Sequence, residues 1–404
     1  MTDLFLYDDA AARAFEPFAL TRPTSELRAG ALLLRERWEL ALKMKTAGVV
    51  TSDHLADFDE PGAAGAVRGT LRKGSLLANS RCAPALSPIA AASSWRCGDR
   101  IGAVILDRDV DAAELAAGRL TLDALTPKDG RQATINGTWI EHVWDLIGHL
   151  AAMLTSDITA LIVAEGQKGS AVPGAPAGPH PAFAEDGAVV EPMVYFDTSA
   201  GPVLIRRGAT LQAFTRVVGP CVIGRDSIVG VDRVAASSIG DNCRVHGELN
   251  TVIVLGHANK AHDGFVGHSY LGRWVNLGAG TITSNLKNTY GTVSLWTPEG
   301  VRDTGMQFLG TLFGDHAKTG IGTSLTTGTV IGAGANIYGS VMPPKVVPPF
   351  AWGDRAPYSA YRVDKFIDVA RRVMERRHVQ LSPRQETQLK AAFEGRWAAE
   401  DGSR

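Results

Sequence analysis

Val203-Leu204-Ile205-Arg206-Arg207-Gly208-Ala209-Thr210-Leu211-Gln212-Ala213-Phe214-Thr215-Arg216-Val217-Val218-Gly219-Pro220-Cys221-Val222-Ile223-Gly224-Arg225-Asp226-Ser227-Ile228-Val229 is the stretch that decides the fold. Ile205, Leu211, Val217, Ile223 and Val229 recur every six residues. That period fits neither an amphipathic helix nor an alternating strand, and it matches a parallel β-helix built from hexads. Each hexad forms one short side of a triangular coil. One aliphatic per hexad points into the stack, and small residues relieve crowding at the corners. A single coil cannot bury its inner side chains alone, so stability comes from stacked neighbours. The hexapeptide form winds left-handed, against the usual right-handed parallel crossover.

Aliphatic-glycine pairs carry the pattern onward through Ile239-Gly240, Leu255-Gly256, Val266-Gly267, Leu271-Gly272 and Leu277-Gly278. It breaks between 284 and 312 and resumes at Ile321-Gly322 and Ile331-Gly332. In the break, Tyr290 to Gly300 reads as a protruding loop or hairpin, and long insertions in solenoids commonly line a binding face. The β-helix is expected over 193–353. Upstream, 166–192 crowds Gly169, Pro173, Gly174, Pro176, Gly178, Pro179 and Pro181 with small residues, which predicts a linker. Residues 1–165 read as an α/β domain. Leu4-Phe5-Leu6-Tyr7 and 102–106 are strand candidates, and helical spacing runs through Ser25–Gly48 and Trp139–Leu154. Residues 354–404 form a helical tail, with a helix over Tyr358–Arg377 and a capping box at Ser382-Pro383-Arg384-Gln385.

The 404 residues carry 41 Lys plus Arg against 42 Asp plus Glu, so no basic excess exists to drive binding to a nucleic-acid backbone. The N-terminus is acidic where a signal peptide needs base, and no stretch approaches the ~20 apolar residues of a membrane span. Cys82, Cys97, Cys221 and Cys243 show no Cys-x-x-Cys spacing and read as buried thiols in a reducing compartment. A cytoplasmic protein with no nucleic-acid or membrane partner is expected.

Asn276-Leu277-Gly278-Ala279-Gly280-Thr281-Ile282-Thr283-Ser284-Asn285 resembles the Asn-Ile-Gly-Ala-Gly-Thr-Ile-Thr-Cys-Asn run of the bacterial bifunctional N-acetylglucosamine-1-phosphate uridyltransferase / glucosamine-1-phosphate acetyltransferase family, differing only at Leu277 and Ser284. Lys260 to Gly272 resembles the stretch holding that family's acetyl-transfer base. The N-terminal part resembles a divergent sugar nucleotidyltransferase-like branch through Leu20-Thr21-Arg22-Pro23-Thr24-Ser25-Glu26-Leu27-Arg28-Ala29-Gly30, Glu36-Arg37-Trp38, Asn79-Ser80-Arg81 and Trp144-Asp145. The fold implied is an α/β nucleotidyltransferase-like domain, a left-handed parallel β-helix and a C-terminal helical tail. The resemblance also implies acetyl-CoA, UTP or another nucleoside triphosphate, magnesium, sugar-phosphate substrates and a homotrimer.

Acetyl transfer to an amine needs a base for its proton, donors for the tetrahedral oxyanion, and the two substrates held face to face. An imidazole suits the first task. Counting back fourteen residues from Asn276, the family's spacing, selects His262, with Phe265 where the family has Tyr. Allowing a deleted hexad selects His268 with Tyr270 instead. The ungapped choice, His262, is preferred; the plain alternative, that either His is a corner residue bonded to a neighbouring carbonyl, is outweighed beside this motif. Asn276 and Asn285 match family asparagines that contact the acceptor, although an asparagine ladder or a turn would also explain them. After Asn285 the family's Tyr-Asp-Gly is replaced by Leu286-Lys287-Asn288. The acceptor's phosphate is therefore left to Lys287, Lys260 or Lys318, each of which is otherwise simply solvated. Lys318 and Thr319 would border the acetyl-CoA groove.

In the first domain no glycine-rich loop precedes Thr21-Arg22. Arg22 and Arg28, with Asn79 and Arg81, are the candidates for phosphate binding, and salt bridging is their plain alternative. Asp9 and Asp145 are the candidate magnesium ligands. Two further readings stand beside the bifunctional one. One keeps nucleotidyl transfer alone and makes the coil a trimerisation scaffold; the other is a non-catalytic sugar-nucleotide binder.

Overall fold

A computed structural model describes residues 2–165, 168–174 and 176–397. The chain divides into two compact units, Met1–Leu146 with Ser382–Gly395, and Ile147–Leu381 with Arg396–Arg404.

In chain order the first unit contains β1 (Leu4–Tyr7), α1 (Leu34–Leu42), β2 (Thr46–Val50), β3 (Leu76–Asn79), β4 (Ser94–Cys97), β5 (Arg100–Ile105), α2 (Ala112–Ala116) and β6 (Gln132–Thr134). These strands form one six-stranded sheet in the order β6-β4-β5-β3-β1-β2. β1 is central and parallel to both neighbours, with Tyr7 level with Val50 and with Asn79. Its unbroken apolar run follows from burial on both faces. Leu4 and Leu6 pack with Trp38 on one side, whereas Tyr7 packs with Leu77 and Leu115 on the other.

Helical spacing over Ser25–Gly48 is realised only as α1. Before it lie a short 3-10 turn and a two-residue hairpin, Arg28–Ala29 against Leu32–Leu33, turning at Gly30 with φ 65°. A glycine in that left-handed conformation breaks the helical period. The spacing over Trp139–Leu154 likewise divides: Trp139 ends a strand, and helices α3 (Asp145–Gly148) and α4 (Leu150–Glu165) follow.

In the second unit three walls stack into a three-sided β-helix, parallel except where Gly169–Ala171 and Ser359–Ala360 pair antiparallel at its ends. Strands from Gly169–Ala171 to Val346–Val347 build the first wall, those from Val189–Val190 to Ser359–Ala360 the second, and those from Tyr195–Asp197 to Val266–Gly267 the third. All five hexad aliphatics, Ile205, Leu211, Val217, Ile223 and Val229, lie in one buried core with Ile239, Val266, Leu271, Leu277 and Ile331. Glycines let consecutive turns approach: a Cβ at Gly240 would collide with the Leu255 carbonyl of the next turn.

Three expectations are altered. Ile321 is 67% exposed, and Thr319 takes the inward place, level with Leu277 and Ile337. The stretch expected as a linker carries strands Gly169–Ala171, Ala182–Glu185 and Val189–Val190, which pair into the first turns because Phe183 and Ala184 sit level with Leu204 and Ile205; residues 166, 167 and 175 lie outside the described ones. And α4 belongs to the coil unit, with the division after Leu146 rather than 165.

The tail divides too. α5 (Val363–Glu375) stays with the coil, where Phe366 meets Phe350 edge-on at 4.9 Å. α6 (Pro383–Glu394) belongs to the first unit: Gln388 donates to the Thr21 carbonyl at 3.1 Å, and the Ser382 hydroxyl donates to Asp59 at 2.6 Å. Its start is the reciprocal Ser382–Gln385 capping box with Pro383 at the first helical position.

Candidate functional site

The carboxyl ends of parallel strands gather loops around one crevice, the usual ligand position in open α/β sheets. Here β1 delivers Asp8 and Asp9, and β3 delivers Asn79 and Arg81. Arg81 Nη2 donates to Asp9 Oδ2 at 2.7 Å, Asn79 Nδ2 reaches the same oxygen at 2.9 Å, and Asn79 Oδ1 accepts from the Arg81 backbone at 2.8 Å. Arg81 also bonds Glu141 and lies 5.0 Å over the Trp139 ring, two partners the sequence reading did not single out. Burial raises the Asp9 carboxyl, but the bonds and charge of Arg81 outweigh it and hold the group below its ordinary value. Asp8 is fully buried, accepts from Thr51 Oγ1 at 2.7 Å and is pushed up by burial.

The other expected phosphate ligands are engaged within the fold. Arg22 pairs with Glu60 through two bonds of 2.8 and 3.2 Å, and Arg28 donates to the Ala31 carbonyl. Asp145 accepts the Glu141 and His142 backbone N–H groups at 2.9 and 2.8 Å and so closes the turn that enters α3. Asp9 and Asp145 thus have separate tasks. Among the described residues no group of three His, Cys, Asp or Glu side chains gathers to hold a metal, and Asp9 and Asp145 are each taken up by partners within the fold.

In the coil, the stretch Leu255–Gly272 places three histidines on three different edges of the prism. His257 lies between the first and second walls, His262 between the second and third, and His268 between the third and first. The exposed His262 contributes its backbone carbonyl to Lys260 Nζ. Lys260 itself is 3% exposed, points inward level with Val245, and its ammonium also donates to the His246 carbonyl at 2.8 Å. Burial lowers it to about 8.

His268 has the richer surroundings. Asn285 Nδ2 lies 2.8 Å from His268 Nδ1, and Phe308 stacks on the imidazole with ring centroids 5.2 Å apart. Both come from the neck of the insertion, where Leu286 bridges Phe308 and the Leu309 N–H bonds the Asn285 carbonyl. Gly267 leaves room for this arrangement, since a Cβ there would strike Phe265 and the Asn285 amide. Burial lowers the imidazole to about 4, so it is neutral at pH 7. Beyond the neck, Ser294–Thr297 and Gly300–Asp303 form the expected hairpin, and Lys287 Nζ donates to the Thr292 carbonyl at 2.5 Å. Tyr270 is fully buried on the first wall.

Asn276 stands elsewhere, on the outer face of the second wall. It accepts from Asn259 Nδ2 at 2.9 Å and lies level with Lys318, so two asparagines form a short ladder. The fold therefore joins Asn285 to His268 and leaves Asn276 and His262 on other parts of the prism. Phe308 was not foreseen, because nothing in the linear sequence shows where a long insertion returns. A cavity of about 410 Å³, lined by Ala151 and Thr155 of α4 with Pro220, Arg233 and Asn250, lies one turn below His268, whose N–H bonds the Asn250 carbonyl. All four cysteines are buried free thiols, and no helix among the described residues is long and apolar enough to cross a membrane.

Residues 4–164 match the family model described as sugar nucleotidyl transferase. The chain is 30% identical over 162 residues to the bifunctional protein GlmU of Bartonella quintana, a match covering 38% of this chain and 30% of that protein. It is 32% identical over 91 residues to the bifunctional sugar-1-phosphate nucleotidylyltransferase/acetyltransferase of Sulfurisphaera tokodaii, covering 22% and 23%. The chain thus spans less than a third of the length of the curated relatives it matches. A hexapeptide transferase family protein from Anaplasma phagocytophilum overlaps 54% of this chain and 90% of its own, at 10% identity and a TM-score of 0.24. Over residues 4–164 the chain is similar to sugar nucleotidyl transferases, and in part of its length to bifunctional nucleotidylyltransferase/acetyltransferases.

Proposed function

We propose that this chain is a sugar-phosphate transferase whose coil N-acetylates an amino-sugar phosphate from acetyl-CoA and whose first unit handles the corresponding UDP-sugar-type nucleotide. The observation that carries the acyl half is the His268–Asn285 contact of 2.8 Å under the Phe308 ring. An amide and an imidazole can be matched in either sense, because amide N and O are alike in shape. With Asn285 Oδ1 accepting from Nδ1–H, Nε2 is left bare, and that is the form a base requires. The acceptor amine attacks the thioester carbonyl as His268 Nε2 takes its proton. The C–N bond forms, the C–S bond breaks as the tetrahedral intermediate collapses, and the leaving thiolate receives the proton. We assign the base role to His268 rather than His262 because, among the described residues, Asn285 and Phe308 hold the His268 ring. Lys287, at the insertion neck, supplies charge near an acceptor phosphate. A cytoplasmic homotrimer, with acyl sites between coils, completes this reading.

For the first unit, nucleotide binding without turnover is the second reading. It is favoured by the Arg22–Glu60 and Arg81–Asp9 pairs, which neutralise the cations a triphosphate would need.

Purified protein is given acetyl-CoA plus glucosamine-1-phosphate in one assay, and UTP plus N-acetylglucosamine-1-phosphate in another. Thiol release lost in His268→Ala and kept in His262→Ala is expected; the reverse pattern returns the base to His262. Absence of pyrophosphate release with UDP-N-acetylglucosamine still bound selects the binding-only reading of the first unit.

A further inference from the structure

Two of the four thiols meet in the core of the first unit. Cys82 opens a short strand, Cys82–Pro84, and stands level with Trp139 of the strand that pairs with it. Cys97 ends β4, level with Arg100 of β5. Both belong to one apolar cluster with Leu4, Trp95 and Ala103, and they are 0% and 1% exposed. Gly102 of β5 leaves the space beside them open: a Cβ there would stand 3.1 Å from Cys82 Sγ and 3.6 Å from Cys97 Cβ. Cys82 directly follows Arg81, whose guanidinium holds Asp9 and Glu141 and lies over the Trp139 ring.

The two thiols are unequal. Cys82 holds the Cys97 thiol below its ordinary value, whereas burial and then Cys97 push Cys82 well above it. Thiolate character therefore gathers on Cys97, and the thiolate is the form that attacks an electrophile. Cys97 also stands beside the way in. Gly98, Asp99 and Arg100 follow it in an exposed turn, with Gly98 at φ 62°. Opening of such a turn is a local event of low cost that leaves the rest of the sheet folded. Cys221 in the coil fits the ordinary role of a small apolar filler, its thiol pushed up to about 12 by burial. Cys82 and Cys97 differ in facing each other.

We propose that Cys82 and Cys97 form a redox pair that a hydroperoxide closes into a disulfide, loosening the Arg81–Asp9 contact at the crevice of the first unit. With hydrogen peroxide, the Cys97 sulfur attacks one oxygen and the O–O bond breaks. The departing hydroxide takes the Cys97 proton and leaves as water, and Cys97 becomes a sulfenic acid. The Cys82 sulfur then attacks the sulfenic sulfur: the S–S bond forms, the S–O bond breaks, and the hydroxyl leaves with the Cys82 proton as a second water. The sulfurs lose two electrons in all, and the peroxide oxygens gain them. Transient disulfides of this kind are the ones compatible with a reducing compartment. Joining the sulfurs draws Cys82 towards the end of β4 and moves the backbone that carries Arg81.

The test treats the full chain with hydrogen peroxide under native conditions, alkylates remaining thiols in denaturant, and maps the peptides by mass spectrometry. A peptide pair linked through Cys82 and Cys97 is expected, reopened by dithiothreitol, with Cys221 and Cys243 still alkylated. In Cys82→Ala, Cys97 should stop at the sulfenic acid and be captured by dimedone; in Cys97→Ala, Cys82 should stay reduced at the same dose. No link in the native wild type, or a link formed only in denaturant, overturns the proposal. The effect on the crevice is read by titrating UDP-N-acetylglucosamine, an arm that rests on the binding reading of the first unit. Oxidation should weaken binding roughly tenfold in the wild type, as for loss of one charged hydrogen bond, and leave both alanine variants unchanged. A mapped link with unaltered binding overturns the coupling to Arg81. Absence of binding to the reduced protein counts against the binding reading instead, and the peptide map then decides the redox pair by itself.

Discussion

Asn285 Nδ2 sits 2.8 Å from His268 Nδ1 although 17 residues, one full turn of the prism, separate them in sequence. The contact fixes the imidazole plane, and Phe308 closes its other face. On the proposed reading, Asn285→Ala removes the orienting bond and leaves the base, His268, in place. The expected result in the acetyl-transfer assay is a fall in kcat of about 10- to 100-fold, smaller than that of His268→Ala, with KM for acetyl-CoA little changed. Equal KM and unchanged kcat would show that the amide does not orient the base.

The buried imidazole also makes a stability prediction. Its folded value of about 4 lies below the ordinary 6.5, so the unfolded chain binds the proton first. Stability is unaffected above pH 6.5 and is lost progressively as pH falls from 6.5 toward 4. His268→Gln removes this term. Chemical denaturation at pH 7.5 and pH 5 should show the wild type losing more stability than the variant.

Lys260 gives the opposite limb. Its folded value of about 8 lies below the unfolded 10.5, so raising the pH from 8 to 10.5 releases a proton in the native state first and stabilises it. Lys260→Met should abolish that rise, read as the difference between the two proteins' denaturation midpoints across the window.

Gly240→Ala places a methyl group against the Leu255 carbonyl of the next turn. Overpacking of this kind costs about 1–3 kcal/mol, and the melting temperature of the coil unit should fall accordingly. A neutral substitution would mean that the turns are spaced more loosely than the stack requires.

Much of this architecture is readable from residue periods, and the reason is mechanical. A hexad aliphatic can only face inward, so Ile205, Leu211, Val217, Ile223 and Val229 announce the prism, and Leu4-Phe5-Leu6-Tyr7 announces a strand buried on both faces. Edges are harder. Successive turns advance 16 residues from Val222 to Ser238, 15 from Ser238 to Ile253 and 17 from Ile253 to Tyr270, so a fixed spacing from Asn276 does not preserve the edge on which a histidine falls. That is why counting favours His262, whereas Asn285 and Phe308 meet His268. The ion pairs that occupy Arg22 and Arg81 were equally hidden, because Glu60 and Asp9 reach them only through the folded sheet.

The placement of α6 has a consequence for biosynthesis. Gln388 and Ser382 tie it to Thr21 and Asp59, so the opening domain receives its last helix only after the whole coil has been made. A nascent chain paused within the coil would lack the α6 contacts to Thr21 and Asp59. The usual N-terminal-first order of domain maturation is thereby inverted, and ribosome-bound intermediates of this protein should remain sensitive to protease near Thr21 until the final helix emerges.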